Sequence, residues 1–145
     1  MTRSSNSTFL GAAGLVILVA IVAGVRVLGS PTEERALRLD DRRVAELQAI
    51  AAATDLFWTR NEELPESLAA LTEEAGVQVS VLDPASGTPY VYSPREGAAY
   101  ELCATFERDT RDRLGSPRDD LWRHGPGYAC FALEAETVER TESRR

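Results

Sequence analysis

Three groups of side chains in this sequence have types and spacings that could do chemistry. The first is the pair Cys103 and Cys130, the only cysteines in 145 residues. Two thiols can join as a disulfide, stay free, or help hold a metal. The second is His124, the only histidine, in Trp122-Arg123-His124-Gly125-Pro126-Gly127, with Asp119 and Asp120 upstream. A catalytic imidazole needs a nucleophile or carboxylate held beside it, and here that partnership rests on proximity in sequence alone. The bland reading packs Trp122 and His124 as a structural loop against a sheet. The third is the acidic set Asp109, Asp112, Asp119 and Asp120. Calcium takes several converging oxygens, which makes these weak calcium candidates. Arg108, Arg111, Arg113 and Arg118 interleave with them and can neutralise the same carboxylates. The sequence holds no Gly-rich phosphate loop, zinc-binding His-Glu motif or nucleophile elbow. The expectation is therefore a non-enzyme with no cofactor and no catalytic residues.

The elements that carry these residues follow from periodicity. Phe9 to Leu28 is apolar except for Arg26, and about twenty helical residues span the roughly 30 Å hydrocarbon layer. This predicts a membrane anchor, with Phe9, Leu10, Leu15, Ile17, Leu18, Ile21 and Val25 facing lipid after a short tail, 1–8. A signal peptide cleaved after Gly24 is the competing reading. Ser30-Pro31-Thr32-Glu33 is a helix start. The helix runs to about Thr59, with Leu37, Val44, Leu47, Ile50, Ala51, Thr54 and Phe57 on its apolar face. Asp40, Asp41, Arg42, Arg43 and Glu46 fill the solvated remainder. Leu64-Pro65-Glu66-Ser67 opens a short second helix through Ala75, stopped by Gly76.

Beyond Gly76 the period changes to two, which predicts strands over Val77–Val81, Tyr90–Ser93, Ala99–Glu107 and Gly127–Glu134. Asp83-Pro84-Ala85-Ser86-Gly87-Thr88-Pro89 is a turn, and 108–126 is a polar loop. The charged tail 135–145 is expected to be disordered. The fold class is thus α+β: an N-terminal transmembrane helix, a long amphipathic helix, a short helix and an antiparallel sheet of about four strands, with the soluble domain at 30–134.

Strand alternation puts Cys103 with Glu101, Thr105 and Glu107, and Cys130 with Tyr128, Ala132 and Glu134. Both point away from the predicted core, whereas free cysteine is usually buried. A disulfide across the sheet follows. It implies an oxidising compartment and contributes roughly 3–4 kcal/mol on the chain-entropy model. Net charge is −7, which argues against nucleic acid. All 16 basic residues are Arg, a bias that fits a GC-rich, bacterial genome. Counting basic residues around the apolar segment places the domain in the cytoplasm; the cysteines place it outside, and the expectation follows the cysteines.

Leu64-Pro65-Glu66-Ser67-Leu68-Ala69-Ala70-Leu71, then Asp83-Pro84-Ala85-Ser86-Gly87-Thr88-Pro89-Tyr90-Val91-Tyr92, then Tyr100-Glu101-Leu102 occur in the order seen in one family. Over about residues 32 to 134 the chain resembles the soluble domain of type II secretion pseudopilins, which are similar to type IV pilins. The resemblance is closest to the major pseudopilin. It lacks that family's prepilin peptidase site: Gly11 and Gly14 precede Ala12 and Leu15, and no acidic residue lies between Phe9 and Leu28. The resemblance implies a single-pass, extracytoplasmic, non-catalytic domain acting as a structural or protein-interaction component of the cell envelope. Its partners would be the membrane and an envelope protein, with the oligomeric state open. An assembly subunit of a secretion or pilus-like fibre is one alternative. A small ligand-binding sensor or enzyme using the Trp122–Tyr128 loop is the other.

Overall fold

The computed structural model describes residues 3–28, 31–74, 76–112 and 120–138, with side chains described for 11–24, 32–74, 76–112 and 120–138. Two compact units divide at Arg35/Ala36. The helices are α1 (Arg3–Leu28), α2 (Pro31–Asn61) and α3 (Leu68–Glu73), and the strands are β1 (Val91–Pro94), β2 (Ala99–Phe106) and β3 (Gly127–Glu134).

The first unit corrects one expectation. Among the described residues no helix is long and apolar enough to cross a membrane. The anchor assigned to Phe9, Leu10, Leu15, Ile17, Leu18, Ile21 and Val25 does not stand, and neither does the single-pass, extracytoplasmic membrane placement built on it. α1 starts at Arg3 and spends its first turns on Ser4, Ser5, Asn6, Ser7 and Thr8. Leu15, Ile17, Leu18 and Ile21 are exposed. The side chains of Phe9, Leu10 and Val25 lie outside the described residues.

The second unit is α+β. Its sheet has three strands, in the order β1-β2-β3 and antiparallel throughout, not about four. Val77–Val81 alternates like a strand but has no ladder partner. Its pairing among the described residues is confined to its end, where the Tyr90 amide donates to the Val81 carbonyl at 2.9 Å beside an isolated bridge, Leu82 to Pro89. Alternation makes a segment compatible with a sheet, while membership needs a neighbour to take its N–H and C=O groups. β2 turns Tyr100, Leu102, Ala104 and Phe106 to one face, and all four are buried. They share a core with Leu47, Ile50 and Ala53 of α2, Leu68 and Leu71 of α3, and Phe131 of β3. Ser67 caps α3, its side chain accepting from the Ala70 amide at 3.4 Å. That short helix places Leu68 and Leu71 inward; Ala75, its expected end, lies outside the described residues.

The start of the expected disordered tail is ordered. Ala135 is buried, and its amide continues the β2 ladder onto the Ala98 carbonyl at 2.9 Å. The Glu136 amide donates to Asp55 Oδ1 at 3.0 Å, and the Val138 amide donates to Thr59 Oγ1 at 2.9 Å. The chain therefore straps along α2 before passing beyond the described residues at 139–145.

Candidate functional site

The charged residues that come together are not those of the 109–124 loop. They are Asp40 and Arg43 on α2, assigned to its solvated face by sequence, and Asp83 at the head of the 83–90 turn. All three are buried. A helix turns about 100° per residue, so positions 40, 43, 47, 50 and 54 share a stripe. The buried stripe thus continues from Ile50 and Leu47 through two charged residues.

Burying a charge is tolerable only when it is paired and hydrogen-bonded, and here every charge is. Arg43 Nε donates to Asp83 Oδ2 at 2.5 Å, and Nη1 donates to Asp40 Oδ1 at 2.7 Å. Glu107 Oε1 lies 3.5 Å from the same Nη1. Asp40 also accepts from the backbone amides of Glu107, at 3.0 and 3.1 Å, and Arg108, at 2.7 Å. Asp83 Oδ1 accepts from the amides of Ala85 at 2.9 Å and Ser86 at 2.8 Å. It thereby forms the side-chain half of the turn that Asp-Pro predicts. One helical Arg therefore ties α2 to the 83–90 turn, and one helical Asp ties α2 to the exit of β2.

The electrostatics follow. Burial alone would raise the Asp83 carboxyl, but hydrogen bonds from Arg43 and from the Ser86 and Ala85 amides outweigh it and hold the group well below the usual carboxylate range. Burial works against the Arg43 charge, yet Asp83 and Asp40 keep the guanidinium more firmly protonated than in water. Burial raises the Tyr90 hydroxyl, and its 2.7 Å hydrogen bond to Glu46 Oε2 raises it further. The shifts of Asp83, Arg43 and Tyr90 all run away from neutral pH.

An open depression of about 440 Å³ lies over this cluster, bordered by Arg43, Asp83, Thr88, Glu107 and Tyr128. Its wall includes Cys103, which is bonded to Cys130 directly across the β2–β3 ladder with a Cα–Cα distance of 4.1 Å. The disulfide is thus present. Cys130 is exposed, as the alternation predicts, whereas Cys103 is 3% exposed. Cys103 sits on the central strand between Val91 of β1 and Cys130 of β3, so neighbours on both sides cover it.

The loop residues are placed as follows. Trp122 is buried with its ring 4.8 Å from that of Phe131, and His124 stacks on Phe106 at 3.6 Å. The backbone around His124 is tied to Thr110: the Thr110 amide donates to the His124 carbonyl at 2.9 Å, and the His124 amide donates to Thr110 Oγ1 at 3.1 Å. The imidazole is closed in by packing, its Nδ1 lying 3.3 Å from the Gly125 carbonyl. Asp109 pairs with Arg111, and Asp120 pairs with Arg123 at 2.7 Å. The Arg111 hydrogen bond holds the exposed Asp109 carboxyl below its ordinary range. Asp112 is exposed, and Asp119 lies outside the described residues. Among the described residues no three His, Cys, Asp or Glu side chains group closely enough to hold a metal ion.

Comparison of the chain with known proteins finds no matching family model, no matching curated protein and no matching solved structure.

Proposed function

We propose that the unit from Ala36 onward is a non-catalytic protein-interaction domain of pseudopilin type, serving as a structural component of the cell envelope. The observation that carries this reading is the saturation of the Asp40–Arg43–Asp83 cluster. Each charge is bonded to another charge or to backbone amides of a distant segment. The cluster fixes the long helix against the sheet and turn and leaves no group free to attack or to transfer a proton. The turn it holds is the Asp83–Tyr92 segment whose motif resembles the pseudopilins. The disulfide suits a domain that works in an oxidising compartment.

Affinity capture of the full chain from its source under mild, non-reducing conditions tests the reading. A defined protein partner, or a second copy of the chain, at near-stoichiometric yield is the expected result. Recovery of the monomer alone contradicts it.

A further inference from the structure

The two edges of the sheet are unequal. β1 has four residues and ends in Pro94, and the chain before it is folded back by the Leu82–Pro89 bridge. β3 has eight residues, contains no Pro and no Arg, and carries no charge before Glu134. Natural sheet edges are normally blunted by shortness, proline or charge. β1 is blunted in this way and β3 is not.

The phase of the ladder shows which backbone groups β3 leaves open. Cys103 and Cys130 are a closely spaced, non-hydrogen-bonded pair at 4.1 Å, and the Ala135 amide bonds to Ala98. The N–H and C=O groups of Gly127, Ala129, Phe131 and Leu133 therefore face β2. Those of Tyr128, Cys130, Ala132 and Glu134 face outward. All four outward residues are exposed, and among the described residues no hydrogen bond reaches their backbone.

We propose that this edge pairs with the same edge of a second copy, joining two three-stranded sheets into one of six strands. The proposal names the partner of the interaction domain inferred above and rests on that reading. A two-fold antiparallel register with Phe131 opposite Phe131 sets Tyr128 opposite Glu134 and Cys130 opposite Ala132. Every outward amide then meets an outward carbonyl. The single acid on each strand falls beside a tyrosine and not beside its twin, which avoids a like-charge pair on an acidic chain. The contact is isologous and closes on itself.

The test uses the full chain with p-benzoylphenylalanine in place of Tyr128, which is 63% exposed. Irradiation of the purified protein is expected to link this position to the segment around Glu134 of a second copy. Ala132→Lys, or Ala132→Glu as the second variant, is expected to lower the yield about tenfold while the Cys103–Cys130 bond still forms. Adducts within one chain only, or to a second copy at α1, overturn the proposal. In source cells, an adduct to a different protein at this position overturns the second-copy pairing and leaves the interaction reading intact. An absence of any adduct removes both.

Discussion

Arg43 Nε lies 2.5 Å from Asp83 Oδ2, joining the middle of α2 to a turn forty positions away. The same guanidinium reaches Asp40, so one side chain organises two carboxylates whose remaining bonds go to separate backbone segments. Removing one partner of a buried pair strands the other charge and costs about 3–5 kcal/mol. Arg43→Met is expected to lose stability of that order in urea unfolding. Arg43→Lys should recover only a minor part, because an ammonium cannot fork between the two aspartates. Full recovery by Lys would show that charge alone matters.

The disulfide joins two strands across a 27-residue separation. On the chain-entropy model a loop of that size contributes about 3.5 kcal/mol. Cys103→Ala/Cys130→Ala should be less stable than the oxidised protein by about that amount, and dithiothreitol should bring the wild type close to the variant. Equal melting temperatures before and after reduction would contradict this.

Two carboxyls give pH dependences of opposite sign. The folded-state pKa of Asp83 is depressed. Its contribution is fully present above its unfolded value, about 4, and is lost as pH falls from there through the folded-state value. Asp55 is raised, by burial first and by the nearby Glu136 as well, against the hydrogen bond from the Glu136 amide. Its ionisation opposes folding, and that cost is relieved as pH falls through its raised value toward about 4. Urea midpoints from pH 2 to 7 should therefore fall less steeply below pH 4 in Arg43→Met than in wild type. Asp55→Asn should stabilise the protein at pH 7 and flatten the profile just above pH 4. Parallel profiles for all three proteins would contradict both assignments.

Trp122 and His124 pack on Phe131 and Phe106. Trp122→Ala should cost about 3–5 kcal/mol through the cavity it leaves. His124→Ala should lower the melting temperature and alter no ligand response in a thermal-shift screen. A compound that stabilises wild type and not His124→Ala would turn the loop into a binding site.

β2, β3 and the disulfide were legible in the sequence because a period of two, bounded by Gly97 and Gly127, determines which residues share a face. The short second helix and the Asp83 turn were legible because their start and stop signals are local, although the cap at Ser67 was not singled out. Asp40 and Arg43 were not. Their type and their neighbours, Asp41 and Arg42, describe a solvated face, and the groups that make burial tolerable lie at positions 83, 107 and 108, far along the chain. Val77–Val81 misled for the same reason: alternation is local, whereas a ladder partner is not. Ala135 to Val138 read as tail because their anchors, Ala98, Asp55 and Thr59, are equally remote in sequence.

In the proposal above the Arg43 cluster holds shape and the β3 edge binds. Partner capture by wild type, Arg43→Met and Ala132→Lys, compared under conditions where all three remain folded, tests that division most directly. Arg43→Met is predicted to capture as wild type does, and Ala132→Lys is predicted to lose the partner. Loss of capture in folded Arg43→Met with retention in Ala132→Lys would contradict the account and make the buried charges themselves the working site.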